Sequence, residues 1–203
     1  MVTLQKIYMY MKKLSMLILL LVFIIVSACN SVGDKCHIVG HVNNPNLEGK
    51  YIFLIAEDNS IREEVGIDSV AIKDQTFEFT TDKNMMCILR MDWHFRYGVQ
   101  DLLVVAEPGE LDVTIDSISS CHGTPSNNVL QQWKEMTQVH MKQYGQLQQM
   151  YQAAHFSGDT IRRNSIKYNA DSIHSEYIER THTMTAGLPD ESPLKDFLKK
   201  LYP

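Results

Sequence analysis

The sequence predicts an α+β fold, an antiparallel β-sandwich or barrel-like domain followed by a helical hairpin. Three observations carry this. Between Cys36 and Ile115 apolar residues alternate, or gather in short β-rich runs divided by turn residues. Seven such runs follow one another at a spacing of ~8–12 residues, as in sandwiches and barrels. From Ser126 onward the apolar spacing changes to three and four, the period of a helix.

The elements follow in order. Cys36-His37-Ile38-Val39-Gly40-His41-Val42 alternates, with Ile38 and Val42 on one face alongside Cys36 or Gly40. Asn43-Asn44-Pro45-Asn46 is a turn cluster. Tyr51 to Ala56 is an apolar strand, ended by Glu57-Asp58-Asn59-Ser60. Val65 to Ile72 is a third strand, Lys73-Asp74-Gln75 a tight turn, and Thr76 to Thr80 a fourth strand with Phe77 and Phe79 on one face. Met86 to Met91 and Leu102 to Ala106 give two more. Glu107-Pro108-Gly109-Glu110 reads as a turn before Leu111 to Ile115.

Ser126 is a candidate helix cap. After it, Leu130, Trp133, Met136, His140, Tyr144, Leu147 and Tyr151 form a stripe expected to pack on the sheet or on a second helix. Gly158-Asp159-Thr160 breaks the first helix and starts a second, carrying Ile161, Ile166, Ala170, Ile173 and Tyr177. Gly187-Leu188-Pro189 ends that one, and Ser192-Pro193 opens a short last helix to Leu201.

Ahead of all this stands Leu14 to Cys29, an apolar run behind Lys12 and Lys13 that closes on Val26-Ser27-Ala28-Cys29. Its uninterrupted core, Met16 to Val26, covers about 11 residues, within an h-region and short of the ~20 needed to span a bilayer. Small residues directly before a cysteine make a lipobox, and the run resembles the leaders of bacterial lipoproteins. That resemblance implies acylation of Cys29 and anchoring to a lipid membrane. Asn30 in the next position favours the outer membrane over the inner. Met11 is a better start than Met1, since it puts both lysines at the N-terminus. The expected organisation is a signal peptide over 1–28, a tether over 29–35, a β-rich domain over 36–120 and a helical region over 126–203.

Loss of residues 1–28 removes Lys6, Lys12 and Lys13 and takes the formal charge from −5 to −8. An acidic chain argues against nucleic acid as partner, because phosphate contact needs a basic face. Besides Cys29 there are Cys36, Cys87 and Cys121, and no C-x-x-C pair. These three are the candidate thiols. Cys87 sits in an apolar strand and reads as a small buried hydrophobe, and a Cys36–Cys121 bridge is open to an oxidising compartment.

Four motifs occur in order: Ile67-Asp68-Ser69-Val70-Ala71-Ile72, Thr76-Phe77-Glu78-Phe79, Val104 to Glu110, and Gly123-Thr124-Pro125-Ser126-Asn127-Asn128. With the lipobox they resemble the uncharacterised β-rich N-terminal domain of Bacteroidetes-type thiol-disulfide interchange lipoproteins, over about residues 35–130. In that family a thioredoxin-like domain with W-C-x-x-C usually follows the helices. Here the sequence given stops at Tyr202-Pro203, so the resemblance carries over no catalytic residue.

The candidate contact surface is Trp93, His94, Phe95, Arg96 and Tyr97, an aromatic stretch read as a loop. The competing reading is core aromatics at a bent strand. Glu107 is read as a turn residue rather than a catalytic carboxylate. His37 and His41 share a strand face but lie ~13 Å apart, too far for one metal. His140, His155, His174 and His182 lack i,i+4 partners, so no metal and no cofactor is expected. No serine sits in a G-x-S-x-G elbow. The expectation is a membrane-anchored periplasmic binding or scaffolding module, not an enzyme, with an unknown protein or small ligand as partner. The alternative is an accessory, or a truncated remnant, of a thiol-disulfide interchange protein.

Overall fold

The computed structural model describes residues 34–57, 68–92 and 94–203. The signal segment, Cys29, Trp93 and the start expected for the third strand lie outside them. Eight strands are present among the described residues: β1 (Cys36–Val42), β2 (Tyr51–Ala56), β3 (Asp68–Ala71), β4 (Thr76–Thr81), β5 (Met85–Met91), β6 (Leu102–Ala106), β7 (Gly109–Ile115) and β8 (Ser120–His122). A single helical turn, α1 (His94–Tyr97), joins β5 to β6. Three longer helices follow: α2 (Pro125–Phe156), α3 (Thr160–Thr185) and α4 (Pro193–Leu201).

The strands form two sheets of four, ordered β4-β1-β7-β8 and β3-β2-β5-β6. Every pairing is antiparallel except β1 with β7, where Cys36 to Val42 run alongside Gly109 to Ile115 in parallel. The result is a two-layer sandwich, not a closed barrel. Alternation explains the first sheet: β1 buries Cys36, Ile38, Gly40 and Val42, and β4 buries Phe77 and Phe79. These meet Ile52, Leu54, Cys87, Leu89 and Val104 of the second sheet in one apolar core.

In β6 the consecutive Val104, Val105 and Ala106 are all buried. A strand buried on consecutive residues is covered on both faces. Helices supply the outer cover here, with α2 against β6 and β8 and α4 against β5. Leu130 of α2 and Leu194 and Leu198 of α4 join the core. The i,i+4 spacing of the α4 leucines puts both on one helix face.

The turn at Lys73-Asp74-Gln75 is as expected, and its geometry has a clear cause. Asp74 and Gln75 both have positive φ, 53° and 59°, which costs energy for residues with a Cβ. The Glu48 carboxylate accepts from both backbone N–H groups, at 2.9 and 3.0 Å, and holds the turn.

Several expectations need correction. Residues 94–97 do not form an open loop, since His94–Tyr97 is a helical turn. Gly109 and Glu110 belong to β7, not to the preceding turn. Ser126 is not the cap of α2; that position is Thr124, with Pro125 at the first helical position. The helical stripe faces inward only along part of its length. Leu130 and His140 are buried, but Tyr144 and Tyr151 are exposed, as is Ile161 of α3.

Candidate functional site

The densest set of polar side chains lies where the first turns of α2 cross the open edges of both sheets. Strands β6 and β8 are edge strands, so each leaves main-chain groups without a partner strand. Asn127 lies under β6. Its Oδ1 accepts from the Val105 N–H at 2.8 Å, and its Nδ2 donates to the Val105 carbonyl at 2.7 Å. The amide thus replaces one residue of a missing strand. Nδ2 also donates to Thr124 Oγ1 at 2.7 Å. One turn on, Gln131 Oε1 accepts from the Cys121 N–H of β8 at 3.2 Å. Asn128 Oδ1 accepts from the Gly123 N–H at 3.1 Å.

The start of α2 is itself satisfied from the sandwich. The Glu107 carboxylate accepts from the Ser126 N–H at 2.7 Å, placing an anion where free N–H groups and the helix dipole favour one. Ser126 Oγ meets Ser192 Oγ at 3.1 Å, which ties in the start of α4. Gly123 permits this approach. Its φ is +127°, and a Cβ there would lie 2.3 Å from the Glu110 carbonyl oxygen.

Beside this junction is a groove of about 320 Å³ between β6, the loop ahead of β8 and α2. Gln100, Ser119, Gln131, Trp133 and Lys134 contribute to its lining. Lys134 Nζ reaches Cys121 Sγ at 3.5 Å. Burial holds the Lys134 ammonium below its ordinary pKa. Burial also pushes the Cys121 thiol up, against the pull of Lys134. A thiol in that state stays protonated near neutral pH and is a poor nucleophile. The groove offers amides, hydroxyls, an indole and one amine, together with the carboxylates of Asp101 and Glu135, which are engaged by Arg90 at 2.7 Å and by Gln131 Nε2 at 2.9 Å.

The other candidate thiols are no more available. Cys36 and Cys87 are buried in the core, and burial pushes the Cys36 thiol up to about 11. A Cys36–Cys121 bridge is ruled out by the sheet order. β7 lies between β1 and β8, with Cys36 beside Gly109 and Cys121 beside Val113. At sheet spacings that puts them about 16 Å apart, well beyond the ~7 Å limit for a disulfide.

The aromatic stretch is tied partly to the sandwich. His94 Nδ1 lies 3.3 Å from the Met91 carbonyl and 3.5 Å from the Asp101 carboxylate, which also takes Arg90 at 2.7 Å. Tyr97 packs against the core and Arg96 is exposed. Trp93 is outside the described residues, and only the backbone of Phe95 is described. His37 and His41 instead face Glu78 and Asp112, at 3.6 and 3.8 Å. Among the described residues no three metal-ligating side chains converge.

Sequence reading missed one cluster because it forms across the hairpin. His140 of α2 stacks on Tyr177 of α3, with centroids 4.3 Å apart, and lies 5.6 Å from His174. Tyr177 Oη bridges Thr137 Oγ1 and Tyr202 Oη, both at 2.8 Å. The stripe Trp133, Met136, His140 and Tyr144 marked the face of α2 that meets α3, without giving the partner of His140.

Neither a curated protein nor a solved structure matches the chain. A family model does match residues 36–130. It starts on the first residue of β1 and ends at Leu130, so it takes in the sandwich and Asn127, which closes the β6 edge, and stops one residue short of Gln131. Over residues 36–130 the chain is similar to the DUF4369 family, described as a domain of unknown function.

Proposed function

We propose that this is a lipid-anchored protein of the cell envelope, acylated at Cys29 and facing the periplasm from the outer membrane. Its DUF4369-like sandwich and hairpin act there as a non-catalytic binding or scaffolding module. The observation that carries the reading is Val26-Ser27-Ala28-Cys29 behind an apolar run and two lysines, directly ahead of β1 at Cys36. Seven residues of chain reach at most roughly 25 Å, so an acyl group on Cys29 keeps the sandwich beside the bilayer. Acylation of one cysteine with more than one chain meets the need for stable anchoring.

The non-catalytic part rests on how the polar groups are used. Glu107, Ser126, Asn127 and Gln131 each hold a main-chain group or another helix start. Cys36, Cys87 and Cys121 are buried, which disfavours thiol exchange by the chain itself. The surfaces open to a protein or small-molecule partner include the Lys134 groove, a groove of about 440 Å³ between β5 and α4, and the outer faces of α2 and α3. A mature charge of −8 disfavours nucleic acid.

The test is growth with an alkyne-bearing palmitate, followed by capture of the protein. Wild type should carry the label, and Cys29→Ala should not. Absence of label from wild type, or its persistence in the variant, overturns the reading.

A further inference from the structure

The far end of the hairpin combines two features with no explanation inside the fold. The first is exposed apolar surface. Phe156 and Ile161, on either side of the turn, are each 86% exposed, and Tyr168 is 80% exposed. Met150 and Tyr151 are exposed beside them. Between residues 141 and 170 only Ala154 and Ile166 are buried. The second is charge. That segment carries Lys142, Arg162, Arg163 and Lys167 against a single acid, Asp159. Asp159 is occupied, since its Oδ1 accepts from the Arg162 N–H at 2.9 Å as the cap of α3. The next acid, Asp171, lies about 18 Å from Asp159 along the helix and about 6 Å, one turn, beyond Lys167. A mature chain of charge −8 thus carries +3 at this tip and −11 everywhere else.

Between the helices at the tip runs a groove of about 590 Å³. Leu147, Met150, Ile161 and Ile166 supply its apolar lining, Arg162 supplies a cation, and Asp159, engaged as the α3 cap, supplies an anion. Apolar side chains set among lysines and arginines fit an interface where acyl chains lie beneath anionic headgroups. A second copy of the chain fits poorly, because two +3 tips repel. A nucleic acid fits poorly too, since Phe156 and Ile161 would stay in water and the −11 remainder opposes phosphate.

We infer that the hairpin tip docks on an anionic phospholipid surface, with Phe156 and Ile161 entering the interface and Arg162 and Lys167 pairing with headgroup phosphates. This goes beyond the proposed function and needs no acyl group on Cys29. The sandwich would then stand off the bilayer by the projecting length of α2 and α3, about 23 Å from residue 141 to the turn, which is within the roughly 25 Å reach of the chain between Cys29 and β1.

Residues 34–203 form a compact unit holding the core cluster, so they are tested without the leader and without Cys29. The assay is co-flotation with vesicles containing phosphatidylglycerol, compared with phosphatidylcholine alone. Binding is expected to the anionic vesicles only and to weaken with salt. At the usual contribution of a basic residue near such a surface, Arg162→Gln with Lys167→Gln should weaken it about 30-fold. Phe156→Ser with Ile161→Ser should abolish flotation. Lys73→Gln with Lys83→Gln, on the sandwich, should leave binding unchanged. All these positions are exposed, and circular dichroism checks that each variant is folded. No flotation of wild type at low salt overturns the inference. So does equal binding by the tip variants, or an equal loss in the Lys73/Lys83 control. Because the unit lacks Cys29, failure here leaves acylation standing, and failure of acylation leaves this docking standing.

Discussion

Replacing Asn127 by alanine is the sharpest probe of how the hairpin is joined to the sandwich. Asn127 is fully buried, and its amide satisfies both the N–H and the carbonyl of Val105. Alanine leaves those two main-chain groups buried without partners. Each such group costs ~1–3 kcal/mol, and the small void adds to this. The expected loss is about 3 kcal/mol, within a range of roughly 2–5. For a folded unit of this size that lowers Tm by about 6–12 °C.

The comparison is Asn128→Ala, whose exposed side chain gives up one bond to the Gly123 N–H. A single exposed hydrogen bond contributes ~0.5–1.5 kcal/mol. Asn127→Asp supplies a further control. It keeps an acceptor for the Val105 N–H but turns an oxygen toward the Val105 carbonyl, so it should not rescue. Chemical denaturation of residues 34–203 measures all three. The reasoning fails if Asn127→Ala costs no more than Asn128→Ala, or if Asn127→Asp is as stable as wild type.

Other perturbations test other parts of the fold. Gly123→Ala should cost at least ~1–3 kcal/mol by thermal denaturation, because its φ is +127° and the new Cβ meets the Glu110 carbonyl. Tyr177→Phe removes the hydroxyl between Thr137 and Tyr202 and should cost about 1–2 kcal/mol in denaturant. Burial first, and His174 second, hold His140 below its ordinary pKa. The unfolded chain then binds more protons, so stability should fall as pH drops below about 6.5. His140→Phe should flatten that dependence in melts at pH 5 and pH 7. Cys36, Cys87 and Cys121 should resist a maleimide in the native protein at pH 7 and all react in denaturant.

Much of this fold is legible from side-chain period alone. Cys36, Ile38, Gly40 and Val42 fall on one face of β1, as do Phe77 and Phe79 in β4, because burial of one sheet face imposes a period of two. Gly158-Asp159-Thr160 marks the hairpin turn because Asp159 caps α3. What escaped depends on partners distant in sequence. Period two does not say whether neighbours run parallel, so the β1–β7 pair was hidden. β8 has three residues, too few to show any period. Asn127 and Gln131 read as polar helix positions, and nothing local says that they finish the edges of two sheets. The aromatic set at His140 and Tyr177 needs two helices in register, which the spacing within one helix does not give. Tyr151 and Ile161 fit the apolar pattern expected to face inward, yet near the turn α2 and α3 pack on each other and leave both exposed.

The most direct measurement of the central claim is the intact mass of the protein extracted from the envelope of its native host. The account predicts a chain beginning at Cys29, without residues 1–28, and carrying a diacylglyceryl group or one further acyl chain. A chain that retains residues 1–28, or one that begins elsewhere with Cys29 absent or unmodified, contradicts it.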